Sequence, residues 1–139
     1  MYNSKISAYS KDSLRSELTT ADPHRIIQML MQGALDRIAA AKGHIERNEM
    51  AGKSLCISKA SAIIVSLLNS LDHSPAPEVS QNLADLYIYM NDRLNEATIT
   101  NETKYLEEAA FLLGEIKSAW DQIKPDYEYQ QGMKISVGA

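Results

Sequence analysis

The chain has 139 residues, a formal net charge of −4, one cysteine and three histidines. That length suits one domain, burying roughly two thirds of the surface its unfolded chain exposes. The mild acidity excludes nucleic acid as the main partner, which needs a basic patch. A single cysteine, Cys56, excludes an intrachain disulfide framework and a cysteine-rich zinc site, and between Leu55 and Ile57 it reads as a small buried apolar side chain.

Residues 1 to about 20 are polar with isolated apolar points at Tyr2, Ile6, Tyr9, Leu14 and Leu18. They predict a mobile arm with a short or fraying helix over 11–18. The opening has no apolar stretch of the secretory-signal kind, and no segment approaches the roughly 20 apolar residues of a membrane span. A soluble cytoplasmic protein without membrane insertion is expected.

Asp22 then suits a helix cap and Pro23 a first helical position, where no amide is needed. A first helix is predicted from Pro23 to about Arg47, with Ile27, Met31, Ala34, Ile38, Ala41 and Ile45 on one seam. Residues 48–52 supply a loop. A second helix spans about Gly52 to Asp72, with Ile57, Ala60, Ile64, Leu67 and Leu71 on its seam and Ile63 and Leu68 beside it. Ser74-Pro75-Ala76-Pro77 forces a break.

The third helix runs from Pro77 or Glu78 to about Ala97, with Leu83, Leu86, Met90, Arg93 and Ala97 on one line and Tyr87 and Leu94 on the next. The β-branched junction Thr98-Ile99-Thr100-Asn101 ends it. The fourth, from about Glu102 to Lys124, carries Leu106, Ala109, Leu113, Ile116, Trp120 and Ile123, and Pro125 stops it. The fold expected is all-α: an antiparallel four-helix bundle over 21–124, with a mobile arm or short helix over 1–20 and a flexible tail over 125–139.

Chemistry is scarce. A di-iron carboxylate bundle needs Glu-x-x-His on two helices, and no glutamate here is followed by histidine three residues later. His24, His44 and His73 fall near helix ends without ligand spacing. There is no nucleophile elbow, Walker loop or dinucleotide fingerprint. The chain reads as a non-enzyme without metal or cofactor.

Apolar surface is abundant. Ile26 and Leu30, Ile63 and Leu68, and Tyr105 and Leu112 stand beside seams that are already complete. Wide stripes are ordinary in bundle cores, but the excess recurs on several helices, and grooves between helices are where amphipathic partners dock. The six methionines add adaptable surface. Tyr87 and Tyr89 suit a groove rim.

The segment Thr20-Ala21-Asp22-Pro23-His24-Arg25-Ile26-Ile27-Gln28-Met29-Leu30-Met31-Gln32-Gly33-Ala34-Leu35 resembles the opening of helix 1 in the flagellar export chaperone FliS family. Lys59-Ala60, Ile63-Ile64 and Ser70-Leu71-Asp72 resemble its second helix. Asn82-Leu83, Leu86-Tyr87, Tyr89-Met90, Arg93-Leu94 and Ala97 resemble its third, and Leu113 to Trp120 the end of its fourth. The resemblance implies a cytoplasmic chaperone that binds the disordered C-terminal segment of flagellin and prevents premature polymerisation. It also implies delivery to a component of the flagellar export gate.

By the same resemblance the N-terminal arm is similar to a flap over the groove, a role that falls on Ile6, Tyr9 and Leu14. For the groove itself the positions beside the core seam are Ile63, Leu68, Tyr87, Met90 and Leu94. The chain is expected to be a monomer or weak homodimer. The alternative is a bundle that spends its excess apolar face on self-association, with no flagellin role.

Overall fold

Asp22 opens the first helix: its Oδ1 accepts the Arg25 backbone N–H at 2.8 Å, and Pro23 follows at the first position. The computed structural model describes residues 22–123, so the arm and the tail, with Ile6, Tyr9 and Leu14, lie outside the described residues. Four helices follow: α1 (Pro23–Glu46), α2 (Met50–Asn69), α3 (Pro77–Thr100) and α4 (Thr103–Gln122). Each packs on two others, α1 on α2 and α4, and α3 on α2 and α4. Short connections make neighbours antiparallel, which gives the four-helix bundle expected from the periodicity.

The connections explain the boundaries. Asn48 takes a left-handed conformation at φ 58°, which asparagine tolerates. The Glu49 carboxylate then accepts from His44 Nδ1 at 2.9 Å and Arg47 Nε at 2.8 Å, clasping the α1–α2 turn. The helix starts at Met50, two residues earlier than the sequence suggests, and ends at Asn69, three earlier. In the next connection Ser80 Oγ donates to the Asp72 carbonyl at 2.9 Å, tying α3 back to the end of α2.

α3 does not stop at Ala97. The β-branched junction is helical as well, with the Thr98 and Thr100 hydroxyls bonding back to the carbonyls of Leu94 (3.2 Å) and Glu96 (2.8 Å) within the helix. Termination falls to Asn101, left-handed at φ 59°.

The largest fully buried side chains are Met31, Ile38, Ile64, Leu67, Met90, Leu94, Leu106 and Leu113, two from each helix. The seams of α1 and α2 are those of the sequence pattern, with Ile27 and Leu71 only partly buried. α3 is turned from its expected line. Its core side is Tyr87, Met90, Leu94 and Ala97, while Leu83 and Leu86 are partly buried and Arg93 stays at the edge. A guanidinium cannot enter the core without a partner charge, and that turns the helix. On α4, Ile116 and Trp120 are half-buried, and Ile123, one residue past its end, is exposed.

One expectation needs correction. α2 is, by length and composition alone, apolar enough to cross a membrane, with a mean hydropathy of 1.4. Its seam of Cys56, Ile57, Ala60, Ile64 and Leu67 instead lies in the bundle core. The high value arises because its outer flanks are apolar too.

Candidate protein-binding surface

Those flanks set the site. At the α1 side of α2, Gly33 permits close approach: a Cβ built there would stand 3.6 Å from Ile63 Cδ1. Val65 and Leu68 lie round the helix from Ile63, towards α3. Ile63 and Leu68 are partly buried against the core, and Val65 is exposed.

The α2–α3 register is fixed by a residue whose role the sequence pattern concealed. Lys53 is buried, and its Nζ donates to the Thr98 carbonyl at 3.1 Å and to Asn101 Oδ1 at 2.6 Å. The side chain therefore holds the end of α3 against the start of α2, and it acts on the left-handed residue that terminates α3. With the helices antiparallel from this anchor, Val65 stands level with Ile88, which is half exposed on α3. The two exposed aliphatic side chains, one on each helix, mark the outer edge of the α2–α3 pairing.

Tyr87, Met90 and Leu94, expected from the sequence to line the groove, are 3%, 0% and 0% exposed. They belong to the core and form the floor under the rim, because α3 is turned to bring them inward. Burial pushes the Tyr87 phenol up from its ordinary value. Asn91 Oδ1, one turn from Tyr87 and Leu94, is buried without a hydrogen-bond partner among the described residues.

The other side of α3 is polar and aromatic. The Tyr89 hydroxyl donates to Glu108 Oε1 on α4, and this bond, ahead of burial and the Glu108 charge, raises the phenol above its ordinary value. Arg93 Cζ lies 5.2 Å from the ring centroids of both Tyr89 and Tyr105. Lys104 Nζ stands 5.0 Å from the Tyr105 ring and pairs with Glu102 at 3.1 Å.

The α1–α4 edge is cross-linked by polar side chains. Gln28 Nε2 and Lys117 Nζ both donate to Asp121, at 2.8 and 2.7 Å, and hold its carboxyl below the usual range, Lys117 contributing most. A shallow cleft of about 370 Å³ there is lined by Met29 and Gly33 as well as by Gln32 and Asp36, which bond to each other at 2.8 Å. Among the described residues no three His, Cys, Asp or Glu side chains come together as a metal site. Exposed aliphatic side chains on α2 and α3, opposite a hydrogen-bonded α1–α4 edge, suit contact with a polypeptide.

Comparison with known proteins agrees with this architecture. A family model described as "Flagellar protein FliS" matches residues 5–127. The chain is 44% identical over 115 residues to the flagellar secretion chaperone FliSB of Pseudomonas aeruginosa, an alignment covering 83% of this chain and 91% of the relative. It is 36% identical over 129 residues to the flagellar secretion chaperone FliS of Salmonella typhimurium (92% and 96% covered) and 34% identical over 132 residues to that of Vibrio cholerae (95% and 97%).

Proposed function

The chain belongs to the FliS family of flagellar secretion chaperones, not to an enzyme family, and from that premise we propose that it binds the disordered C-terminal segment of flagellin in the cytoplasm. The observation that carries this reading is the apolar flank of α2, which continues outward past a completed core to Val65, Leu68 and the facing Ile88. A disordered segment that becomes helical can lay its own apolar stripe along such a groove. The contact area offsets the cost of ordering the segment, and the modest net affinity allows release.

Covering that segment keeps flagellin from assembling before export, and handing it to the export gate completes the cycle. Ile63 and Leu68 form the groove walls, and Tyr87, Met90 and Leu94 support them from beneath. Ile6, Tyr9 and Leu14 of the arm act as a flap over the groove when no cargo is bound.

Calorimetric titration with the C-terminal segment of flagellin from the same cell tests the proposal. Saturable one-to-one binding, a negative heat-capacity change and a gain of helix are expected. Absence of binding in the micromolar range, with a stable dimer in sedimentation, would establish the self-associating bundle instead. Removal of residues 1–18 should change cargo affinity; unchanged affinity together with unchanged binding of a hydrophobic dye would remove the flap from the scheme.

A further inference from the structure

Among the described residues, Arg93 is the one arginine that lies over two aromatic rings, with Tyr89 on its own helix and Tyr105 at the start of α4. Its Nε is buried without a hydrogen-bond acceptor, and among the described residues no carboxylate lies within ion-pairing distance of the guanidinium. The nearby acids are otherwise engaged: Glu108 by the Tyr89 hydroxyl and Glu102 by Lys104. Guanidinium planes flanked by aromatic rings lose little further freedom when they bind, and their donor fork matches a carboxylate in two parallel hydrogen bonds. Lys104, beside Tyr105, is neutralised by Glu102, so Arg93 is the cation without an acid partner on this face among the described residues.

We propose that Arg93, clamped between Tyr89 and Tyr105, is a receptor for a carboxylate of the bound protein segment, fixing where along the bundle that segment ends or turns. The site lies on the α4-facing side of α3, separate from the apolar Val65–Ile88 rim. It therefore supplies what an apolar groove lacks, a single point that sets register. An apolar stripe alone tolerates a shift by one helical turn; an ionic anchor does not. The inference rests on the cargo reading above, and its test is arranged so that the two can fail separately.

Two measurements on the full chain decide it. In the first, the amide signals of the uniformly ¹⁵N-labelled protein, including the Arg93 Nε–H, are followed by NMR while N-acetyl-leucine or N-acetyl-leucinamide is added. The acid should shift the Arg93 signal and the amide should not. Equal response, or none with either at tens of millimolar, overturns the receptor whatever becomes of the cargo reading.

In the second, the flagellin C-terminal peptide is titrated as free acid and as C-terminal amide against the parent chain, Arg93→Lys and Arg93→Gln. A charge-assisted pair predicts a loss of about tenfold or more for Arg93→Gln, with a smaller loss for Arg93→Lys, which keeps the charge but not the fork. Loss on amidation, absent in Arg93→Gln, assigns the carboxylate to the chain end. Insensitivity to amidation with loss in Arg93→Gln assigns it to an acidic side chain. Parent-like affinity in both arginine variants for both peptides overturns the proposal. Circular dichroism of the variants checks that the bundle is intact, and the NMR arm needs no variant.

Discussion

His24 and Trp120 clasp the first and last helices in both directions: His24 Nε2 donates to the Trp120 carbonyl at 2.9 Å, and Trp120 Nε1 donates to the His24 carbonyl at 3.0 Å. Because a carbonyl only accepts, the first bond requires the imidazole proton on Nε2. The rings stack with centroids 4.9 Å apart and planes 13° from parallel. Residues 96 positions apart thereby close the ring of helices at the end where α1 begins and α4 finishes.

Trp120→Phe retains an aromatic ring and loses the donor, which should lower stability by about 1 kcal/mol. Trp120→Ala also empties a half-buried site and should lower it by about 3 kcal/mol. Urea denaturation of the three proteins measures both values. Parent-like midpoints would show that the clasp contributes nothing beyond what water supplies.

Two helical glycines should respond in opposite directions. A Cβ at Gly52 would lie 2.6 Å from Cε1 and Nδ1 of His44, so Gly52→Ala must displace the ring that bonds Glu49 and should destabilise. A Cβ at Gly114 meets nothing within 4 Å, so Gly114→Ala should stabilise by about 0.5–1 kcal/mol through helix propensity. Thermal melts followed at 222 nm would show the first falling and the second rising.

Lys53→Ala should loosen the α3–α4 turn more than it lowers global stability. It removes the donor that holds the Thr98 carbonyl and Asn101 Oδ1. Removing a partner from a buried polar pair costs about 1–3 kcal/mol. Hydrogen exchange should quicken around residues 98–103 before it does in the middle of α3; uniform quickening would contradict a local role.

Acid should weaken the bundle through its surface turns. The Glu49 carboxyl is held below its ordinary value by the hydrogen bond from His44 first and Arg47 next, Asp72 by Ser74, and Asp121 by Lys117 and then Gln28. A depressed carboxylate adds stability that is present above its unfolded value and lost as pH falls through the folded one. Urea midpoints should therefore be level from neutral pH down to the ordinary carboxylate values, about 4, and decline below them. Glu49→Gln should shallow that decline. All three groups are exposed, so the effect is modest.

The Val65–Ile88 rim offers the sharpest check on cargo binding. Both side chains are exposed, so Val65→Glu and Ile88→Glu leave the core untouched. Each should weaken flagellin-peptide binding about tenfold or more by placing a charge in an apolar contact, with unchanged melting. Parent-like affinity in both would move the binding surface elsewhere.

The helices were legible because three- and four-residue spacing is a property of local sequence, and caps such as Asp22-Pro23 mark their own positions. The rotation of α3 was not. Leu83, Leu86 and Arg93 share a line with Met90 as well as Tyr87 and Leu94 do, and only packing against α2 and α4 selects between the two. Groove and core were inseparable for the same reason: Tyr87, Met90 and Leu94 carry the apolar signature of both. Lys53 carried a faint signal, a lone cation at the head of an apolar helix, but its partners Thr98 and Asn101 lie 45 and 48 residues away.

The incomplete flank of α2 has a bearing on how long the protein lasts in a cell. A bound segment that covers it would stabilise the folded chain in proportion to its concentration above the dissociation constant. Under the proposed function, the folded chain is most stable when cargo is plentiful, and the fraction that opens to proteolysis falls as cargo rises.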